Sequence, residues 1–350
     1  MARLRDSIPM AETDRLLLAL DAGAVALPGD GAIAVLHARP RPFLGQVAAA
    51  RLRLEQPLRP VCDALAPLPV AEGALDGAAG FVLVEITRSR AETLGAIARG
   101  LKLLPPGAIL AVDGSRTDGI DGVAKQLAAA LPLAGVLPKA HGRLVWVERP
   151  GALPPEVAAW EAAARPARNR DGFVTEPGLF SADGIDPGSA ALAAVLPGRL
   201  SGRVADLGAG WGWLAAQALA ANPGITALDL HEADARALAA ARANVTDPRA
   251  AFHWTDVTRL GRSDGPVDAV ITNPPFHQGR AAEPALGQAF IAAAARLLKP
   301  SGRLLLVANR RLPYEAALAA AFTVVEPLAD TGSFKVIAAS RPRSTRPGRR

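Results

Sequence analysis

A chain of 350 residues, half of them hydrophobic, exceeds one ordinary domain of about 100–200 residues and can bury two cores. Its one cysteine, Cys62, excludes an intramolecular disulfide, fits a reducing compartment and reads as a small thiol rather than a nucleophile. Of the formal charge of +6, five units come from arginines 341, 343, 346, 349 and 350; the rest of the chain is nearly neutral, and composition alone does not specify a nucleic-acid partner.

From the amino terminus, the apolar run Leu16–Leu20 is too short to span a membrane and no cleavable leader precedes it, so a cytoplasmic protein is expected. Arg39, Arg41, Arg51, Arg53 and Arg59 follow, with Glu55 the only acid among them. This segment reads equally as a phosphate-facing surface or a solvated helix face. Phe81–Ile86 predicts a strand running into Thr87-Arg88-Ser89-Arg90, and residues 103–112 predict a helix end, a turn and a further strand. Arg165, Arg168 and Arg170 form a second basic cluster near the expected junction of two domains.

The second half opens on residues 203–212, a short apolar strand, an acid and a glycine turn, followed by the helix-like 213–219. Glycines let backbone approach a ligand closely. Trp213 stands where a dinucleotide fingerprint needs glycine, which disfavours a nicotinamide cofactor. Asp206, just before the glycines, suits a ligand carrying an amino group. A second strand over 224–229 is expected to end at Asp229, where such folds hold the ribose of a nucleoside. The strand 251–254 leads to Asp256, placed to accept an adenine amino group. Alanine-rich stretches over 237–243 and 289–298 predict crossover helices, and with them an α/β fold on a parallel sheet.

Val267–Thr272 predicts a buried strand that ends in Asn273-Pro274-Pro275-Phe276. An exocyclic base amine has its lone pair delocalised into the ring, so a methyl acceptor of this kind needs polar acceptors to hold its N–H groups. Asn273 and the Pro274 carbonyl can supply them. Consecutive prolines stiffen the loop and present carbonyls rather than donors, and Phe276 offers a flat face to a base. Each residue alone more often marks an ordinary turn; after a cofactor turn the tetrad points to amine methylation. His277 reads as a loop or core histidine. The first half reads as a faded copy of the second: residues 103–112 parallel 297–307, but arginines 88 and 90 stand in place of the tetrad and no matching glycine turn precedes them; an unrelated α/β module is the alternative.

The ordered series resembles class I S-adenosylmethionine-dependent methyltransferases. Residues 177–189, Asn273–His277, Leu312-Pro313-Tyr314 and Thr331–Val336 resemble in particular the bacterial ribosomal RNA guanine-N2 methyltransferases, the small-subunit type ahead of its large-subunit paralogue. The resemblance implies two tandem Rossmann-like methyltransferase domains: residues 1–165 degenerate and inactive, 166–340 catalytic, and 341–350 a basic tail. It implies S-adenosylmethionine held by Phe180, Asp206, Gly208, Ala209, Gly210, Asp229, Asp256, Val257 and Asn273, with Asn273, Pro274, Pro275 and Phe276 catalytic and no metal. Ribosomal RNA or the small ribosomal subunit is the implied partner. Two other readings stay open: adenine-N6 or glutamine-amide methylation by the same tetrad, and a noncatalytic RNA-binding scaffold.

Overall fold

The computed structural model describes residues 13–275 and 284–343. The chain divides into two compact units, Met1–Pro166 with Glu176–Gly178, and Ala167–Thr175 with Leu179–Arg350.

In the first unit α1 (Arg15–Asp21) precedes β1 (Ile33–Leu36), β2 (Leu52–Glu55), α2 (Arg59–Leu65), β3 (Val70–Ala71) and β4 (Phe81–Glu85). Then come α3 (Arg90–Leu103), β5 (Ile109–Ser115), α4 (Ile120–Ala130), β6 (Gly135–Lys139), β7 (Gly142–Glu148) and α5 (Pro155–Ala163). The strands form one sheet in the order β3-β2-β1-β4-β5-β7-β6, parallel except for β7. Every residue of β1 and β4 is buried, as a parallel strand covered on both faces requires. Val82 and Val84 pack with Leu94 and Ile97 of α3 on one face, and Val35 and Leu83 with Leu16 and Phe43 on the other.

The second unit begins with a small β8 (Ala167–Arg168) and β9 (Val174–Thr175) ribbon and α6 (Pro187–Ala193). It continues through β10 (Gly202–Leu207), α7 (Trp213–Ala221), β11 (Ile225–Glu232), α8 (Ala235–Asn244), β12 (Ala250–Trp254) and β13 (Val267–Thr272). Last come α9 (Pro284–Leu297), β14 (Leu298–Asn309), α10 (Glu315–Ala321), β15 (Phe322–Asp330) and β16 (Phe334–Pro342). Its sheet runs β12-β11-β10-β13-β14-β16-β15, the same order as the first, again parallel except for the next-to-last strand. Ala205, Leu207 and Val270 pack under Phe290 and Ile291 of α9, while Val204, Leu228 and Leu230 pack under Leu214 and Ala218 of α7. Gly287 lets α9 sit on the fully buried Tyr314, whose hydroxyl a Cβ there would strike. Lys335 of β16 donates to the Leu312 carbonyl at 2.9 Å and pairs with Glu315, joining the two carboxy-terminal motifs.

Register matches as well as order. Leu36 lies beside Val84 as Leu207 lies beside Thr272, so one residue further on His37 corresponds to Gly208 and Glu85 to Asn273. The residue at the level of Asn273 is thus a glutamate of the strand, not one of the arginines that follow it. Among the described residues no helix is long and apolar enough to cross a membrane.

Candidate active site

β10 ends at Leu207, and the chain turns through Gly208, Ala209 and Gly210 before α7. Gly208 and Gly210 have φ of +74° and +55°, the left-handed region that glycine enters without strain. No atom of the described residues lies within 4 Å of where a Cβ on Gly210 would stand, so among them the turn is open on that side. The N–H groups of Gly208 and Ala209 donate to the His231 carbonyl at 2.9 and 3.1 Å, and that of Gly210 to Glu232 Oε2 at 2.8 Å. These bonds fasten the turn to the end of β11.

Asp206 is fully buried beneath this turn, and neither carboxylate oxygen has a hydrogen-bond partner among the described residues. Burial, and after it the charge of Glu232, push its carboxyl up to about 8. A buried polar group without a partner is costly, and one poised by an open turn has the chemistry of a receptor for a cationic or N–H-bearing group.

Trp211, a bulky residue for such a turn, is buried; its ring packs on Phe173 with centroids 5.4 Å apart, and its Nε1 donates to the Phe180 carbonyl at 2.9 Å. The indole therefore tethers the segment carrying Phe180, which is 57 % exposed.

Asp229 is not a strand-end acid. β11 continues three residues beyond it to Glu232, and Asp229 lies inside the strand beside Ala205, on the sheet face opposite Asp206. Its carboxylate is held by Arg203 Nε at 2.7 Å and by His253 Nε2 at 3.0 Å. Glu232 takes the strand-end place, its Oε1 accepting from the Asp234 N–H at 2.9 Å while Oε2 holds the turn. Asp256 does follow β12, where its Oδ1 accepts from the Thr258 N–H at 3.0 Å and hydroxyl at 2.6 Å, and its neighbour Val257 is buried.

A single cleft brings together Phe180, Ser181, Asp186, Ser189, the turn from Gly208 to Trp211, Trp213, Leu214 and Asn273. It unites Phe180, the glycine turn and Asn273; Asp206, buried beneath the turn, and Asp229, Asp256 and Val257 are not part of its lining. Asn273 is the first residue after β13, and its Nδ2 donates to Asp186 Oδ2 and to Ser189 Oγ, both at 2.9 Å. Asp186 caps α6, its Oδ2 also accepting from the Ser189 N–H at 2.7 Å. Below, the Thr272 hydroxyl donates to the Leu207 carbonyl at 2.6 Å and fixes β13 to β10. Pro274 is buried and Pro275 exposed, whereas Phe276 and His277 lie outside the described residues. Asp186 and Ser189 had a readable signal, an aspartate followed by Pro187 and then by Ser189 at a helix start.

The basic segment of the first half is not a continuous phosphate-facing surface. Arg41 is 7 % exposed; its Nε donates to Asp14 Oδ2 at 3.1 Å, its Nη2 to Asp14 Oδ1, and its Nη1 to Asp113 Oδ2 at 3.2 Å, with Glu85 Oε1 at 3.6 Å. Burial works to raise Asp14, but Arg41 outweighs it and holds that carboxyl below its usual range; for the fully enclosed Glu85 burial prevails and the carboxyl stays raised. Arg51 donates to the carbonyls of Pro28, Asp30 and Gly31, and Arg59 pairs with Asp63 at 3.0 Å. Of the five, Arg39 is half exposed and Arg53 exposed.

Residues 171–338 match the family model described as the methyltransferase small domain. A protein of Sodalis glossinidius named ribosomal RNA small subunit methyltransferase C is 33% identical over 291 residues, covering 80% of this chain and 81% of its own. The protein of that name from Klebsiella pneumoniae is 33% identical over 252 residues, 67% of this chain and 68% of its own. Among solved structures, a Thermus thermophilus 16S rRNA N2 G1207 methyltransferase in complex with AdoMet and guanosine superimposes with a TM-score of 0.72 at 24% identity, covering 92% of this chain and 91% of that one. With identity of this extent spanning both units, the chain belongs to the ribosomal RNA small subunit methyltransferase C family.

Proposed function

We propose that the second unit transfers a methyl group from S-adenosylmethionine to the N2 amine of a guanosine in 16S ribosomal RNA. The observation that carries this reading is the single cleft holding the open glycine turn and Asn273 together. The residues fit the cofactor: Asp206 is a buried carboxyl group without a hydrogen-bond partner among the described residues, and a ligand's amino group would supply one. Gly208, Ala209 and Gly210 offer close backbone approach, Phe180 lines the cleft beside them, Glu232 is assigned to the ribose hydroxyls, and Asp256 with Val257 to adenine. When bound, the cofactor supplies an electrophilic methyl group.

The remaining chemistry belongs to this chain and its substrate. A guanine amine inside a helix is out of reach, so the base is taken from the stack into the cleft. Asn273 and the Pro274 carbonyl hold its N–H groups and align the nitrogen, while Phe276 provides a stacking face. Positioning is the main contribution; the N2 lone pair would take the methyl carbon as its bond to the sulfonium sulfur breaks, the electron pair staying on sulfur as a neutral thioether, and the amine proton would pass to water without a named base.

The first unit, on this reading, binds no cofactor: Glu85 stands at the level of Asn273, and the guanidinium of Arg41 fills the space between three acids. It serves RNA docking and the stability of the chain, assisted by the basic residues 341–350, and the protein works in the cytoplasm. The test is transfer of labelled methyl to 16S rRNA by the full chain, followed by nucleoside analysis. Label in N2-methylguanosine is expected, with one cofactor bound per chain by calorimetry. Label in N6-methyladenosine, or no cofactor binding, overturns the reading.

A further inference from the structure

We propose that Asp186 and Ser189 are positioning residues that decide which face of the Asn273 amide meets the acceptor base; the inference deepens the methylation reading and rests on it. An asparagine amide has nearly the same shape in both orientations, yet one face accepts hydrogen bonds and the other donates them. To hold an amine N–H the carbonyl face is required. A half-turn of the same side chain would present a second donor and repel the amine.

The geometry settles the orientation. A carboxylate only accepts, so the amide nitrogen, not its oxygen, must face Asp186. Both N–H groups are used, one on Asp186 Oδ2 and one on Ser189 Oγ, each at 2.9 Å, which turns the Asn273 carbonyl away from α6. The flipped amide would set oxygen against carboxylate and lose both bonds. Asp186 is itself immobilised, since the same Oδ2 accepts the Ser189 N–H at 2.7 Å. Gly188, between the two, has no side chain for a reason: a Cβ there would stand 3.0 Å from Asp186 Oδ2 and 3.0 Å from the Phe334 ring. The ring of Phe334 on β16 thus backs the turn that holds Asp186, and Asp186 holds Asn273.

The experiment uses the full chain as wild type, Ser189→Ala, Asp186→Ala, the double variant and the conservative Asp186→Asn, which keeps an acceptor oxygen and the helix cap. Ser189→Ala is expected to lower kcat by about 3- to 10-fold, the scale of one hydrogen bond. The double variant should approach the loss of Asn273→Ala, on the order of 10²-fold. Asp186→Asn should recover most of the rate, with KM and cofactor affinity little changed throughout. Independently of turnover, the Asn273 side-chain amide protons should exchange slowly with solvent in the ligand-free wild type and quickly in the double variant, at equal melting temperature or after correction for it. Fast exchange in the wild type, or a double variant within twofold of wild-type kcat while Asn273→Ala is inactive, overturns the clamp. Should the wild type make no N2-methylguanosine, the methylation reading fails instead, and the exchange measurement still decides the clamp.

Discussion

The two sheets share strand order, and their central pairs keep one register up to the carboxyl ends, where they part company. In the second, a left-handed glycine opens the chain and the buried Asp206 has no hydrogen-bond partner among the described residues. At the same level of the first, His37 keeps a left-handed φ of +57°, Glu85 takes the place of Asn273, and Arg41 neutralises Asp14, Glu85 and Asp113 from within. Both ends gather buried acids; in the first the chain brings the cation, and in the second the proposed function assigns it to a ligand. A fold therefore fixes where a site can be, and a few residues at strand ends fix whether it is open.

The comparison breaks most visibly at Arg41. Arg41→Met should remove the guanidinium that Asp14, Glu85 and Asp113 share, leaving Arg15 on Asp113 and Arg39 beside Glu85, and destabilise the full chain by about 3–5 kcal/mol in urea unfolding, with cofactor affinity unchanged. A loss below about 1 kcal/mol, or weakened cofactor binding, would mean that Arg41 is not the internal counterpart of a ligand.

Asp206→Asn should do the reverse. With a folded-state pKa of about 8 against the ordinary 3.8, the native carboxyl holds its proton where the unfolded chain has released it. Its contribution to stability is therefore intact below about pH 4 and is lost progressively as pH rises toward 8. By pH 7 the loss reaches up to roughly 4 kcal/mol at 1.36 kcal/mol per unit. The variant should melt higher than wild type at pH 7, show a flatter stability profile between pH 4 and 8, and fail to bind cofactor in calorimetry. A variant that binds normally would remove Asp206 from the site.

Asn273→Ala sharpens the contrast at the level of the matched pair. A kcat lower by on the order of 10²-fold or more is expected with cofactor affinity nearly intact, whereas Glu85→Gln should leave kcat unaltered. Smaller still is the difference between the two acids of β11. Glu232→Ala should weaken S-adenosylmethionine by roughly 1.5–3 kcal/mol in titration, and Asp229→Ala should not, since it lies inside β11 on the sheet face opposite Asp206, paired with Arg203 and His253. The opposite ranking would return the ribose contact to Asp229.

Much of this was legible in the chain because parallel strands announce themselves as unbroken apolar runs and the glycine turn and tetrad are local. The strand-end acid of β11 was not. Leu230 and His231 extend the strand as readily as they could leave it, and what decides is pairing with β12, which carries Glu232 alongside Trp254. Arg41 likewise reads as a surface cation, since the acids that enclose it come from positions 14, 85 and 113. The partners of Asn273 lie 87 and 84 positions away, and only packing brings them to it.

One shared feature governs how the chain can be made. In each unit the strand that comes first in the main sheet ends up in its middle, waiting for β4 or β13 to close it. During synthesis at about 5–20 residues per second the first sheet, finished by Glu148, can close before β10 at Gly202 is made. Matched central registers in one polypeptide predict that β1 can mispair with β13 when both are unfolded together, which order of emergence would suppress. Refolding from denaturant removes that protection, so recovered activity should fall well below that of newly translated protein, and isolating the units on separate chains should restore the yield of each sheet.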